Sequence, residues 1–461
     1  MRRALCLASM ALALAGCRIA VPPAPASTVN VPPAWRAPAE AGPNAGAVDA
    51  GWWRAFGDPA LDALVAQALA SNGDLRTARA RLQEYQARIA VAQSAQAPTL
   101  TAGVTPTRAR VIGPFGTPVE SSAVQGNLQA AYELDPFGRL QNATEAARFD
   151  LASQQAAADA VALSVAANTA SGYLNLRGLD AQLALARATL QSRLRSLELA
   201  RRQFEVGYSS RLELSQAEAE YRTTASAVPQ LERAIAQQEN ALALLLGASP
   251  GPVPRGVEFA ALAVPAIQPG LPSNLLRRRP DNAQAERAVA AADASLAVAR
   301  DQLLPTLRLT ASAGGYAHSL PDLLGSGTAL WSIGGSILAP IVDGGRLRAQ
   351  AAISASLRDR AVFAYEAAVR NAFAETENGL SAVQRLREQL VQAEARRVAT
   401  AEVLRIAHNR YTNGYSSYLE ELDAQRNAFS ADNNALQLKA SYLAAHVDLY
   451  RALGGGWQAS P

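Results

Sequence analysis

Most of the chain carries apolar residues at steps of three and four, which is the spacing of one face of an α-helix. One very long stretch of this kind covers 139–206 and contains no proline. At 1.5 Å per residue, a helix of this length would extend on the order of 100 Å, far beyond an ordinary globular helix. The pattern therefore predicts a coiled-coil element, followed by a return helix over 211–246.

The pattern changes to a period of two in two pairs of segments, which predicts strands. The first pair is expected over 99–111 and 120–134, joined by a loop of glycine and proline, and the second over 306–318 and 326–339. Apolar residues on one side of these strands alternate with polar residues on the other. The apolar set is Leu128, Ala130, Tyr132, Leu134, Leu307, Leu309, Ala311, Trp331, Ile333 and Ile337. Each pair is predicted to form a β-hairpin.

One constant offset relates the two halves of the chain. The four residues Gly207-Tyr208-Ser209-Ser210 return unchanged 207 positions later as Gly414-Tyr415-Ser416-Ser417. The same offset places Asp74 on Asp281 and Leu246-Gly247 on Leu453-Gly454. The chain therefore contains a duplicated unit that consists of a helix, a β-hairpin, a very long helix, a turn and a return helix.

The repeats are predicted over 58–247 and 273–454, and a proline-rich connector is predicted between them over 248–272. In the second repeat we expect the long helix over 346–413 and the return helix over 418–453. Residues 455–461 are expected to form a C-terminal tail. Arg277, Arg278 and Arg279 stand beside Pro280-Asp281, where they are expected to cap a helix near the connector.

The N-terminal sequence predicts export. Arg2 and Arg3 precede an apolar run that is too short to span a bilayer, and Leu14-Ala15-Gly16-Cys17 follows it. This arrangement resembles a bacterial lipoprotein signal over 1–16, which implies that Cys17 becomes a lipidated first residue; an ordinary cleaved signal is the alternative. Residues 17–57 are rich in proline, alanine and glycine and predict an extended tether, which ends in a packing cluster around Trp52.

Charge and chemistry exclude several classes of function. Lysine and arginine total 43 against 39 acidic residues, and the arginines are scattered along helical stretches with no basic stripe, so no nucleic-acid partner is expected. The three histidines show no metal-ligand spacing, and no catalytic or phosphate-binding motif is found. We expect neither an enzyme nor a cofactor apart from the lipid on Cys17.

Four strands cannot close a membrane barrel, because the smallest known has eight. An open sheet edge in lipid would leave backbone groups without hydrogen-bond partners. Either the hairpins lie outside lipid, or several chains combine their strands. Two chains would supply eight strands around a filled interior, whereas three would supply twelve strands and a lumen. The alanine-rich long helices would then form the wall of a hollow tube.

The chain resembles the TolC family of outer-membrane efflux ducts, in the branch of NodT-type lipoproteins. The resemblance covers about Trp52 to Gly454. It rests on the Leu-Ala-Gly-Cys sequence, Trp52-Trp53, Arg278-Arg279-Pro280-Asp281 with Glu286, the two hairpins and the two glycine turns. It implies a mainly α chain with a membrane β-barrel, in which a homotrimer forms a twelve-stranded barrel continued by a twelve-helix α-barrel in the periplasm. The implied partners are a periplasmic adaptor (a membrane fusion protein), an inner-membrane pump and outer-membrane lipid.

The resemblance also implies two sites. The turns Gly207-Tyr208-Ser209-Ser210 and Gly414-Tyr415-Ser416-Ser417 correspond to tips where an adaptor docks; the alternative is that they only break helices. Leu419, Asp423 and Arg426, with Tyr411, resemble a periplasmic gate in which Arg426 pairs with Asp423 one turn away. The alternative is a solvated Asp/Arg pair. The first repeat has Gln216 and Ala219 at the matching positions, so only the second would carry this charge.

The function implied is a passive outer-membrane exit duct for drugs or other small toxic compounds, working with a pump of the resistance-nodulation-division type. One alternative is a duct for type I protein secretion. Another is a structural coiled-coil lipoprotein of the periplasm.

Overall fold

A computed structural model describes residues 23–26, 28–36, 49–267, 269–325 and 329–457 of the chain. The predicted signal over 1–16 and its cysteine, Cys17, lie outside these residues. So do the parts of the predicted tether at 17–22, 27 and 37–48, and the end of the predicted tail at 458–461.

Long helices occupy most of the described residues, and the lengths of three of them repeat. A helix of 22 residues, one of 67 and one of 35 occur once in each half of the chain. The helices are α1 (Pro59–Ser71), α2 (Gly73–Ser94), α3 (Arg139–Glu205), α4 (Arg211–Leu245), α5 (Pro272–Arg278), α6 (Pro280–Asp301), α7 (Arg346–Thr412) and α8 (Tyr418–Ala452). The predicted long helices are confirmed; each ends one residue early, where the glycine turn begins.

Side-chain caps determine where the first helices begin. The Asp58 carboxylate accepts a hydrogen bond from the Ala60 amide at 2.9 Å, and Pro59 occupies the first turn of α1, where its missing N–H costs nothing. Asn72 separates α1 from α2, because its side-chain oxygen accepts from the Asp74 amide at 2.9 Å and so caps the next helix. The chain can therefore change direction at Asn72 without leaving helix-end amides unpaired.

The strands form one antiparallel sheet in chain order. They are β1 (Thr99–Ile112), β2 (Pro118–Leu134), β3 (Thr306–Ala317) and β4 (Ala329–Leu338). β3 pairs with β2 along nearly all of its length, from Leu307 opposite Leu134 to Ala317 opposite Val124, which joins the two predicted hairpins. β1 and β4 are left as edge strands. β2 begins earlier than predicted because pairing continues to Ile112 opposite Pro118 at the turn.

The sheet has one apolar and one polar face, as the alternation predicted. The register places Leu100, Ala130, Ala311 and Ile333 side by side, and the next set on the same face is Ala102, Leu128, Ala313 and Trp331. The opposite face carries Thr101, Gln129, Ser312 and Ser332 in one row. Ile333 is 79% exposed and Trp331 is 78% exposed, so the apolar face is open.

The core of the helical part lies where α1, α3 and α8 meet. Trp52 is 2% exposed, stacks on Tyr450 at 5.1 Å between ring centroids, and lies in one cluster with the fully buried Phe56. The predicted packing role of this cluster is confirmed. The Tyr173 hydroxyl donates to Asp58 at 2.7 Å and accepts from the Gly256 amide at 2.9 Å, which attaches the connector to α3.

The arginine cluster after the connector caps a helix, as predicted. The Arg279 guanidinium donates to the Ala452 carbonyl at the end of α8 at 3.1 Å and pairs with Asp281 and Glu375. Its side chain is 8% exposed, so its charge is satisfied by the chain itself. Because Arg279 has these partners within the chain, its burial and charge are explained without a bound polyanion.

The described residues form two compact units that cut across the two repeats. One contains 81–155 and 284–366, which includes the whole sheet, with the described part of 1–28. The other contains 29–80, 156–283 and 367–461 in its described part. None of the helices within the described ranges combines the length and the apolarity that crossing a bilayer requires.

Candidate functional site at the ends of the long helices

The first long helix ends in a Schellman turn. Gly207 has φ 78°, a left-handed conformation that only glycine adopts without cost. The Gly207 amide donates to the Phe204 carbonyl at 3.0 Å, and the Tyr208 amide donates to the Gln203 carbonyl at 2.8 Å. These two bonds satisfy helix-end carbonyls and release the chain toward α4.

The second long helix ends in the same way. Gly414 has φ 77°, the Gly414 amide donates to the Tyr411 carbonyl at 3.0 Å, and the Tyr415 amide donates to the Arg410 carbonyl at 2.8 Å. The repeated four-residue sequence therefore folds into a repeated turn. The helix-breaking interpretation of these residues is confirmed, and docking is a separate question.

The two turns present exposed tyrosines. Tyr208 is 88% exposed and Tyr415 is 79% exposed. Ser210 caps α4 by accepting from the Glu213 amide at 3.3 Å, whereas the Ser417 side chain makes no capping bond to α8. The backbone turns thus match, while the caps that follow them differ.

The predicted gate segment lies in the first turns of α8. Arg426 pairs with Glu220 of α4, with Nε 2.7 Å from Oε1, instead of the predicted pair with Asp423. The Glu220 side chain is 11% exposed, so its carboxylate is less screened by water than that of the exposed Asp423 and attracts Arg426 more strongly, even though Arg193 also lies beside it. Asp423 is exposed, and no hydrogen bond or ion pair is found for it among the described residues. Leu419 is 52% exposed.

Arg193 is the most deeply buried positive charge of this region. Its side chain is 4% exposed; Nη2 lies 3.7 Å from the Glu220 carboxylate, and Nη1 donates to the Gln425 side-chain oxygen. Burial lowers the pKa of Arg193, and the Glu220 carboxylate opposes that shift. The resulting chain of contacts, Gln425, Arg193, Glu220 and Arg426, joins α3 and α4 to α8 and is called here the tip network.

Two further contacts attach α7 to its neighbours, one to α8 through Glu421 and one to α3 through Gln203. The Glu421 carboxylate is 2% exposed, lies 2.9 Å from His408 Nδ1, and accepts from Gln425 at 2.8 Å. The Tyr411 hydroxyl donates to Gln203 at 2.9 Å. Burial raises the pKa of Tyr411 to about 12, so its hydroxyl stays protonated as a donor.

Sequence reasoning missed Arg193, Glu220 and Glu421. A signal for Arg193 was present, because Leu197 and Ala200 follow it by four and seven residues and are buried on the same face of α3. An arginine at an apolar position of a helix predicts a buried partner. The signal could not name that partner, which lies on another helix.

Comparison with known proteins decides the family. The model of the outer membrane efflux protein family matches residues 64–248 and 271–455, one match for each repeat. The chain belongs to the outer membrane efflux protein family. Membership confirms the resemblance predicted from the sequence and places the chain in the outer membrane, among channels with long periplasmic helices.

Relatives of this efflux protein cover nearly all of its length. The probable efflux pump outer membrane protein TtgC of Pseudomonas putida is 35% identical over 418 residues, which are 89% of this chain and 86% of the relative. The pyoverdine export outer membrane protein OpmQ of Pseudomonas putida is 33% identical over 468 residues, which are 99% and 98% of the two chains.

Solved structures confirm the fold of this efflux protein. The open state of the MtrE outer membrane channel of Neisseria gonorrhoeae matches with a TM-score of 0.86 and 31% identity, over 95% of this chain and 99% of that one. The CmeC outer membrane channel of Campylobacter jejuni has 24% identity and a TM-score of 0.85, and shows the fold alone. The predicted fold class, duplicated helices with membrane strands, is confirmed.

Proposed function

We propose that three copies of this chain assemble into one channel that conducts small toxic compounds from the periplasm to the exterior. The supporting observation is the sheet with two open edges, β1 and β4. In an outer-membrane protein, an edge in lipid would leave a row of backbone groups unpaired, so the edges must be covered. Pairing β1 of one copy with β4 of the next covers every sheet edge, and no further strand is needed.

The faces of the sheet agree with this assembly. The apolar face, which carries Trp331 and Ile333, meets lipid, and the polar face with Thr101, Gln129 and Ser332 lines the lumen. Three copies give twelve strands, enough for an open lumen, while two give eight strands around a filled interior. A homotrimer is therefore the assembly we propose.

Disulfide cross-linking tests the proposed pairing of β1 of one copy with β4 of the next. Thr101 and Ser332 lie in one row but on the outer strands of the sheet, about 14 Å apart within a chain, which is too far for a disulfide. We expect Ser332→Cys combined with Thr101→Cys, Thr105→Cys or Thr107→Cys, in a Cys6→Ser/Cys17→Ser background, to yield covalent trimers for at least one register. The single-cysteine variants are the controls. Only monomers in all three combinations would refute the shared wall.

We further propose that the two glycine turns dock a periplasmic adaptor and that the chain works with an inner-membrane pump. The support is the exposure of Tyr208 and Tyr415 at equivalent positions, together with efflux and export functions in the names of the relatives. We expect Tyr208→Ala with Tyr415→Ala to abolish adaptor cross-linking and raise drug susceptibility while trimers persist. Tyr316→Ala, at an exposed tyrosine on β3, is the control. Normal cross-linking in the double variant would contradict docking at these turns.

Attachment of lipid at Cys17 completes the proposal. Acyl chains add membrane affinity for each buried methylene, and more than one chain makes the attachment stable. We expect palmitate labelling of the wild-type chain and none of Cys17→Ser. Equal labelling of both would refute lipidation at this residue.

A further inference from the structure

The apolar face of the sheet contains a band of defined height. On β2 the apolar side begins at Leu134 and continues, every second residue, to Val124. Ten residues at about 3.4 Å extend roughly 34 Å along the strand, and a strand tilt of 35–45° reduces this to about 26 Å of height. The hydrophobic band of outer-membrane barrels is about 25 Å tall. The apolar rows of this sheet thus fill one bilayer core.

The first rows beyond this band carry charge on the same face. Val124 pairs with Pro106, and the next residues of β1 on that side are Arg108 and Arg110. Glu120 lies directly opposite Arg110. On the four described strands, all charged residues of the apolar face fall in these two rows. The remaining strand charges, Glu133 and Arg308, are on the polar face.

These rows lie at the end of the sheet that faces the exterior. The long helices leave the opposite end of the strands and belong to the periplasm, so the β1–β2 turn at 113–117 marks the outer side. Arg108 and Arg110 therefore lie where the acyl region of the outer leaflet gives way to its headgroups.

Internal contacts satisfy this positive charge only in part. Arg108 pairs with Glu120 at 3.2 Å, but the two side chains are 79% and 60% exposed, and an ion pair of this kind contributes little. No ion pair is found for Arg110 among the described residues, and its side chain is exposed. The cluster keeps a net charge of +1. Pairing of β1 with a neighbouring copy uses backbone groups at the strand edge and leaves these side chains free.

We infer that Arg108 and Arg110 bind the phosphate groups of the outer-leaflet glycolipid, lipopolysaccharide, at one site per chain. Guanidinium groups bind phosphate oxygens through paired N–H donors, and two arginines on successive rows of one strand face match a ligand that carries two phosphates near the bilayer surface. The acyl chains of the same lipid would cover the apolar rows beside them. This inference rests on the proposed barrel, in which the apolar face meets lipid.

The test uses the full-length protein in bilayers that contain bisphosphorylated lipopolysaccharide as a minor component. Lipid retained after extraction is counted by native mass spectrometry. We expect R108Q/R110Q to retain roughly 30-fold less of it than wild type, in line with the attraction of two arginines to an anionic surface. The control R385Q/R405Q removes two charges from similarly exposed ion pairs on α7 and should retain the wild-type amount.

Further arms separate the ligand from other anions. R108K/R110K keeps the charge but loses the paired donors, and we expect intermediate retention. Equal retention by R108Q/R110Q and wild type would overturn the inference. So would equal binding of dephosphorylated lipopolysaccharide, or displacement by phosphatidylglycerol or inorganic phosphate. Heat-resistant trimers are scored in parallel: if R108Q/R110Q still forms them, lost lipid reflects the site, whereas absence of trimers in wild type would instead refute the proposed assembly.

Discussion

The carboxylate of Glu220 is the centre of the tip network, and Glu220→Gln removes its charge while keeping its volume. In the wild type this carboxylate lies 3.7 Å from Nη2 of Arg193 and 2.7 Å from Nε of Arg426. The glutamine retains an acceptor for one of them. The buried Arg193 then has no negative charge within the tip network.

The free energy lost in Glu220→Gln depends on how deeply the ion pair is buried. Removing one partner of a buried ion pair costs about 3–5 kcal/mol, because a charge is left uncompensated away from water. Here Arg426 is 54% exposed and adds little, and Gln425 still accepts from Arg193, so we expect about 2 kcal/mol. A change of about 2 kcal/mol raises the population of the opened arrangement roughly 30-fold.

Hydrogen–deuterium exchange of the detergent-purified protein measures that population. We expect amides in 190–222 and 418–428 of Glu220→Gln to exchange roughly 30-fold faster, and amides of the sheet to be unchanged. The matched control is Glu232→Gln. Glu232 pairs with Arg187 on the same two helices, but the side chains are 48% and 59% exposed, so its loss should cost below about 0.5 kcal/mol. Equal exchange in both variants would refute the reasoning that burial makes the tip network strong.

Three further outcomes are expected. Gly454→Ala should lower the free energy of unfolding, followed by thermal melts, by more than about 2 kcal/mol, because its Cβ would come within 2.0 Å of the Arg278 carbonyl oxygen. Gly414 lies in open space, so Gly414→Ala should lose only the free energy of placing an alanine in a left-handed conformation. Equal losses in the two variants would contradict this reasoning. Burial lowers the pKa of His446 below 6.5, so the unfolded chain binds more protons below that pH and stability falls there by up to about 1.4 kcal/mol per pH unit. His446→Gln should flatten this slope, and an unchanged slope would exclude His446 as its cause. We propose that Asp423 narrows the channel as the sequence predicted, so Asp423→Ala should raise the conductance of the isolated channel, and unchanged conductance would refute a gating role for Asp423.

Local patterns predicted the elements because each depends on neighbours in the chain. The long helices follow from the apolar spacing without proline, and they end two residues before Gly207 and Gly414, where the turn needs a left-handed residue. The two faces of the sheet follow from alternation, which the register then confirms. The family follows from these elements in their order.

Contacts between distant elements could not be predicted in the same way. The pair of Arg426 with Glu220 bridges 206 positions, whereas sequence spacing offered only Asp423, one turn away. The division into two compact units was equally hidden, because each unit takes its segments from both repeats. The repeat can be recognised from the sequence, but the contacts that residues of one repeat make with residues of the other cannot.

The equal lengths of the paired helices have a consequence for how this chain can evolve. α3 and α7 have 67 residues each, and α4 and α8 have 35 each. One inserted residue rotates all that follows by about 100° and advances it by 1.5 Å. An insertion in one long helix would therefore rotate its buried apolar face away from the neighbouring helices, and would displace the glycine turn at its end by about 1.5 Å relative to the other turn. We therefore expect relatives to differ in length at the hairpin loops and termini, and to differ within the helices by substitution.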